Sequence, residues 1–155
     1  MNSNKAFVGA ILGFNRKKGY YSSTVKFIGK VSEVGDKYLC TIYQGSEGKA
    51  NMNVYESTQI IQLPLTEELL DNTEFFMKND DSWASPNSSV IISKNSDSSN
   101  RKWNVKFLDE KRNVISIANF NYIDELQAYA NLAEIELDIK FGTIRTLYQD
   151  YIENV

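Results

Sequence analysis

The sequence predicts a mainly β fold of the α+β class, with a small β-barrel, extra strands and a helix inserted after it, and a C-terminal helix. Two observations support this prediction. Residues 24–57 contain three short runs of β-branched and aromatic residues separated by two turn signals, which is the pattern of an antiparallel meander. Gly29 lies inside the first run, where a glycine allows a strand to bulge or coil at the corner of a barrel.

The three strands of the meander follow from their side chains and turns. Residues 25–31 form the first run, which reaches a turn at 34–37. The second run is 38–43, and a glycine-rich turn at 44–49 leads to the third run at 51–55. Barrels that open with such a meander include the OB-fold, whose open face binds single-stranded nucleic acid or a partner protein. The sequence therefore predicts an OB-like barrel.

The elements around the meander are short. Residues 7–12 are expected to form a leading strand or a turn of helix, and residues 15–19 a basic loop. After the meander, Thr66 is expected to cap a helix at 65–70 that has acidic residues in its first turn. Further strands are expected at 74–78 and 90–92.

The last third of the chain predicts a hairpin followed by helical and alternating segments. Residues 103–108 and 113–118 flank a charged turn and form the hairpin. Asp124 is expected to cap a helix that runs to about residue 131. Residues 134–141 alternate strictly between apolar and charged side chains, which favours a half-buried strand, although their composition also permits a helix. Thr143 is expected to cap the final helix.

Length and composition predict one domain over residues 1–155 and argue against catalysis. The chain has no histidine and one cysteine, Cys40, so the commonest general base and a Cys/His zinc site are both missing. Neither a phosphate-binding glycine loop nor a G-x-S-x-G nucleophile motif is present. No apolar run approaches the roughly 18 residues of a membrane span. We expect a non-enzymatic protein without catalytic residues, metal or cofactor.

Two clusters combine cations with aromatic rings, as sites for single-stranded nucleic acid do. The first comprises Arg16, Lys17, Lys18, Tyr20, Tyr21 and Lys26, and the second comprises Arg101, Lys102, Trp103 and Lys106. The alternative for the first cluster is a solvated loop that leads into a strand. The alternative for the second places Trp103 in the core. The net charge of −3 disfavours nucleic-acid binding except through such a local basic patch.

The final helix carries an apolar stripe at helical spacing, formed by Ile144, Leu147, Tyr148, Tyr151 and Ile152. Such a stripe can cover the open end of the barrel or dock a helix of a partner. Two tyrosines suit a surface that is wet along one edge. Packing within the protein and partner binding both remain open.

The densest acidic residues are Glu67, Glu68, Glu134, Glu136 and Asp138. Their spacing matches neither a metal-binding loop nor an acid/base pair. We expect these residues to form a solvated face.

Residues 27–34, 38–43 and 45–49 resemble the start of the small OB-fold subunit of replication protein A, and the small subunit of the CST telomere complex is similar. Those families share a Phe-x-Gly-basic-Val strand, seen here as Phe27-Ile28-Gly29-Lys30-Val31, followed by a second strand and a glycine-rich turn. The resemblance implies that the helix from Thr143 joins a larger subunit. Residues 59–141 depart from it through extra strands and an additional helix.

Two functional hypotheses follow. The first is a non-enzymatic accessory subunit of a single-stranded-DNA-binding complex in replication or telomere maintenance. It would be nuclear, bind a larger OB-fold subunit through its C-terminal helix and make few contacts with DNA. The second is a small acidic inhibitor, immunity or anti-defence protein that is cytoplasmic and binds one protein target through an acidic patch.

Overall fold

A computed structural model describes residues 6–17, 24–43, 49–55, 58–95 and 101–155. Over these residues the protein is mainly β, as predicted, with two antiparallel sheets of five strands each and a C-terminal helix. The chain divides into two compact units, of which the first comprises Met1–Leu63 and Arg145–Val155 and the second Pro64–Ile144. The single domain expected over residues 1–155 stays a prediction.

The sheet of the first unit has the order β4-β3-β2-β1-β5. Its strands are β1 (Ile11–Lys17), β2 (Thr24–Val34), β3 (Lys37–Tyr43), β4 (Lys49–Tyr55) and β5 (Gln59–Ile61). Strands β2, β3 and β4 are consecutive antiparallel neighbours, which confirms the predicted meander. Strands β4 and β5 form the two edges, and no pairing between described residues joins them. The closed OB-like barrel is therefore not confirmed.

Strand β1 takes in residues 15–17, so the prediction of a basic loop there was wrong. The reason is the pairing of this stretch with β2, where Phe14 lies opposite Phe27. The two rings stack with their centroids 5.4 Å apart, and Phe14 is fully buried. Aromatic pairs across neighbouring strands stabilise a sheet, and this one continues the ladder past the point where the sequence turns basic.

Two glycines of this sheet are needed for close approach. A Cβ atom on Gly29 would lie 3.0 Å from the Cβ atom of Cys40, and the irregularity of β2 falls further along the strand rather than at this glycine. A Cβ atom on Gly13 would clash with the Cδ1 atom of Ile152. Ile152 belongs to α3 (Phe141–Glu153), so the end of this helix packs directly on β1.

The sheet of the second unit has the order β10-β9-β8-β7-β6. The elements of this unit are α1 (Glu67–Asn72), β6 (Met77–Asn79), β7 (Ser82–Ala84), β8 (Val90–Lys94), β9 (Trp103–Leu108), β10 (Val114–Phe120) and α2 (Ile123–Leu132). The predicted hairpin is confirmed as β9 and β10, and the strand predicted at 90–92 lies in β8. The strand predicted at 74–78 is displaced to β6. Thr66 caps α1 as predicted, because its Oγ1 accepts a hydrogen bond from the backbone N–H of Leu69 at 3.2 Å.

Two predicted helix caps were wrong. Helix α2 begins after Tyr122, whose backbone N–H donates to Oε1 of Glu125 at 3.2 Å, and Asp124 lies buried inside the first turn. A glutamate that reaches back to the first N–H group thus replaces the expected aspartate cap. Helix α3 starts at Phe141, so Thr143 lies within its first turn, and the backbone N–H of Thr143 donates to the carbonyl of Lys140.

The strand predicted for residues 134–141 does not form. Exposure alternates from Glu134 to Lys140, and the apolar side chains are the less exposed ones, which indicates an extended backbone. No strand pairs with this stretch among the described residues. The alternation of apolar and charged residues therefore predicted which side chains are the more exposed. It did not predict strand pairing, because a ladder of hydrogen bonds also requires a neighbouring strand.

Candidate functional site

The first basic-aromatic cluster lies only partly within the described residues. Lys18, Tyr20, Tyr21 and the side chain of Lys17 fall outside them. Arg16 donates from Nη1 to the backbone carbonyl of Asn53 at 3.3 Å. Lys26 donates from Nζ to a main-chain oxygen of Val155. Both described cations thus bind carbonyl groups of this chain, and their contact with nucleic acid stays a prediction.

In the second cluster, Trp103 lies in the core, which is the alternative that the sequence left open. It is 5% exposed, and its Nε1 donates to the backbone carbonyl of Leu65 at 2.7 Å. Its ring meets that of Trp83 edge to face, with the centroids 5.7 Å apart. This ring cannot stack on a base. Around it, Arg101 forms an ion pair with Glu125 at 2.6 Å, and Lys102 and Lys106 are exposed.

The apolar stripe of α3 is mostly covered by the protein itself. Ile144, Tyr148 and Ile152 are buried, whereas Leu147 is half-buried and Tyr151 is 38% exposed. Packing within the chain covers three of the five side chains, and partner binding through this stripe stays a prediction.

A groove of about 940 Å³ lies at one end of the second sheet. There the β7–β8 turn and the β9–β10 turn meet the segment that follows α2, and the apolar lining includes Phe75, Leu108 and Ile115. Five acidic residues line the groove, and none of the described lining residues is basic. These five, which define the acidic groove, are Asp109, Glu110, Glu134, Glu136 and Asp138. They are five of the 20 acidic residues of the chain, and no described lysine or arginine lines the groove beside them.

Four of these carboxylates have neither an ion pair nor a hydrogen bond with any residue that the structure describes: Glu110, Glu134, Glu136 and Asp138. Glu67 provides the contrast, because it contacts Lys78 at 3.4 Å and Lys94 at 2.9 Å. The hydrogen bond from Lys94 lowers the pKa of Glu67. Four carboxylates of the acidic groove are thus without a direct ion pair to any described lysine or arginine.

Asp109 organises the β9–β10 turn at the acidic groove. Its Oδ1 accepts hydrogen bonds from the backbone N–H groups of Lys111 at 2.9 Å and Asn113 at 2.8 Å. An aspartate that binds the backbone of its own turn favours the turn conformation. Arg112, in the same turn, takes the left-handed conformation with φ 64°. Asp109 therefore has a structural role and holds Glu110 at the edge of the groove.

Glu134 ends α2 in a conformation that usually requires glycine. The backbone N–H of Ile135 donates to the carbonyl of Ala130 at 2.8 Å, and that of Glu134 donates to Asn131 at 3.1 Å. These two bonds form a Schellman motif, in which glycine commonly occupies the position held here by Glu134. Glu134 has φ 56°. The glutamate is less stable than glycine in this position, and it adds a carboxylate to the acidic groove.

Residues 136–139 follow directly, and their backbone groups make no hydrogen bond within the part of the chain that the structure describes. The flanking residues do: Ile135 donates to Ala130, and the carbonyl of Lys140 accepts from Thr143. Glu136 and Asp138 line the acidic groove, while Leu137 is half-buried. A segment whose backbone has no hydrogen bond to the described chain therefore contributes two carboxylates to the acidic groove.

The carboxylates do not form a metal centre. Among the described residues, no three histidine, cysteine, aspartate or glutamate side chains converge closely enough to hold an ion. The carboxylates are instead distributed along the groove, an arrangement that suits an extended occupant with several positive charges.

Sequence reasoning found only part of this site. It grouped Glu134, Glu136 and Asp138 as part of a solvated face, and all three are exposed. It missed Asp109 and Glu110, because only the folded chain brings the β9–β10 turn to the segment after α2.

No protein-family model, curated protein or solved structure matches this chain. Among the described helices, none is long and apolar enough to cross a membrane.

Proposed function

We propose that this protein is a non-enzymatic binding protein that engages one basic protein partner through the acidic groove. The proposal is the acidic-inhibitor hypothesis, with the acidic groove as the proposed binding surface. The observation that carries it is the set of five carboxylates around one groove, four of them without a described partner. The apolar side chains between them supply contact area, and the carboxylates supply charge complementarity and faster encounter.

The expected contribution of the charges is moderate. An exposed ion pair contributes about 0.2–1 kcal/mol, so three such pairs contribute roughly 1.5 kcal/mol. This free energy corresponds to about a tenfold change in affinity. Since exposed pairs are screened by salt, binding is expected to weaken markedly in about 0.5 M sodium chloride.

Fluorescence anisotropy with labelled octapeptides tests the proposal. The basic probe is Lys-Val-Lys-Val-Lys-Val-Lys-Val, and its acidic counterpart carries Glu in place of Lys. The intact protein is expected to bind the basic peptide alone. The triple variant Glu110→Gln/Glu136→Gln/Asp138→Asn is expected to bind it about tenfold more weakly. Asp109 stays unchanged because the β9–β10 turn depends on it.

The matched control removes the same charge from exposed acidic residues outside the groove, through Glu33→Gln/Asp36→Asn/Glu68→Gln. Its affinity is expected to stay within about twofold of the parent, because these residues do not line the acidic groove. Equal weakening by both triple variants would show a diffuse charge effect and contradict the proposal. So would equal binding of the basic and acidic peptides.

The accessory-subunit hypothesis, with an OB-like barrel and a larger OB-fold partner, has narrower support. The antiparallel meander and the exposed fraction of Tyr151 favour it. Capture of a larger DNA-binding subunit from cell extract by the tagged intact protein tests it, because the hypothesis gives this chain few contacts with DNA of its own. An exposed-surface change, Tyr151→Asp, should abolish capture of a larger DNA-binding subunit without unfolding the protein.

A further inference from the structure

We propose that the occupant of the acidic groove is an extended segment of the basic partner, which adds as a strand along residues 136–139. This inference rests on the proposed function and goes beyond it, because it assigns the conformation of the occupant and the order of its side chains. The partner segment alternates basic and apolar residues.

The backbone of residues 136–139 provides the first argument. Their side chains alternate in exposure, as those of an extended backbone do, and their N–H and C=O groups have no hydrogen-bond partner in the described chain, although the residues on both sides do. Unpaired groups along an extended backbone form a template for another strand. Addition of such a strand is a recurrent mode of peptide recognition, in which main-chain bonds give affinity and alternate side chains give specificity.

The side chains of the same segment set the order of residues in the occupant. Glu136 and Asp138 line the acidic groove, whereas Leu137 and Ile139 are half-buried. Residues directly opposite each other on paired strands share one face of the sheet. Lysine or arginine therefore lies opposite Glu136 and Asp138, and apolar residues lie opposite Leu137 and Ile139.

Charge decides against two other occupants. A purely apolar strand would cover Glu136 and Asp138 without supplying a partner, and buried unpaired carboxylates are unfavourable. A second copy of this chain that paired through the same segment would bring its own acidic side chains against them, and like charges opposite each other destabilise paired strands. The basic, alternating segment of a different protein satisfies both the backbone and the carboxylates.

Two pairs of peptides test the inference on the intact protein. The first pair is the alternating Lys-Val octapeptide and its isomer Lys-Lys-Lys-Lys-Val-Val-Val-Val, which has the same charge and composition. The second pair carries backbone N-methyl groups on the odd or the even residues of the alternating peptide. A strand offers its N–H groups alternately to its two sides, so only one of the N-methylated peptides can still pair with residues 136–139.

We expect the alternating peptide to bind about tenfold more tightly than its isomer, and one N-methylated peptide to lose about tenfold in affinity while the other stays within about twofold. If the isomers bind equally and the N-methylated peptides behave alike, strand addition is refuted, while the proposed function stands provided that the groove triple variant still weakens binding. If neither isomer binds the parent protein, the proposed function itself is refuted.

Discussion

Substitutions of Glu134 test separately its effect on the stability of the fold and its effect on binding of the basic peptide. Its φ of 56° lies in the left-handed region, and it occupies the position of a Schellman motif that favours glycine. A side chain with a Cβ atom is less stable than glycine there by about 1–2 kcal/mol. Glycine also has more conformational freedom in the unfolded chain, and this offsets part of its advantage in the folded state. We therefore expect Glu134→Gly to raise the free energy of unfolding by about 0.5–1 kcal/mol.

The same change removes one carboxylate from the acidic groove. At about 0.5 kcal/mol for an exposed ion pair, affinity for the basic octapeptide should fall about two- to threefold. Glu134→Gln is the matched control, because it loses the charge and keeps the left-handed side chain. It should bind the peptide as weakly as the glycine variant, with its free energy of unfolding within about 0.3 kcal/mol of the parent.

Urea unfolding followed by tryptophan fluorescence measures the first quantity, and peptide anisotropy measures the second. A glycine variant that is less stable than the parent would refute the argument from the left-handed backbone. If the glutamine variant binds the peptide as tightly as the parent does, the Glu134 carboxylate is not part of the binding surface. The two results are independent, so the structural and functional parts of the argument can fail separately.

Three further predictions concern stability. Gly13→Ala should lower the free energy of unfolding by about 1–3 kcal/mol, because the new methyl group clashes with Ile152. In a double-mutant cycle measured by urea unfolding, Ile152→Ala in the same chain should relieve part of that loss. If the two losses simply add, the packing of α3 on β1 is refuted. Burial raises the pKa of the Cys40 thiol from 9.0 to about 11. As the pH rises, the thiol therefore ionises in the unfolded chain before it does so in the folded one. The free energy of unfolding should fall by about 2–3 kcal/mol between about pH 9 and pH 11. Cys40→Ala should lack that part of the pH dependence, and an identical profile would contradict the assignment. Trp103→Phe should lower the free energy of unfolding by about 1 kcal/mol more than Trp83→Phe, as measured by urea unfolding. Loss of the Trp103 indole leaves the buried carbonyl of Leu65 without its donor, whereas Asp71, the acceptor of Trp83, is exposed to solvent. Equal losses would contradict this explanation.

The sequence predicted those elements whose signals are local. The meander and the second hairpin each combine β-branched runs with turn residues, and Thr66 lies directly before its helix. The errors occurred where a distant residue decides the outcome. Residues 15–17 look like a loop by charge but continue a strand because β2 pairs with them. Gly29 was expected to let its strand bulge or coil, but the irregularity falls after Val31, and the Cys40 side chain that the glycine accommodates lies on another strand.

The acidic groove depends on the same kind of distant relation. The sequence places Glu134, Glu136 and Asp138 together and gives them the alternation of a half-buried strand. In the fold the alternation persists, but the described chain supplies no strand to pair with it. Alternation of this kind is expected where a segment is covered on one face and free on the other. The free face carries Glu136 and Asp138 beside Glu110 of a distant turn. This segment has the side-chain pattern of a strand but no strand to pair with, and the carboxylates beside it have no ion pair with a described cation. One basic, extended segment of a partner would supply both the paired strand and the cations.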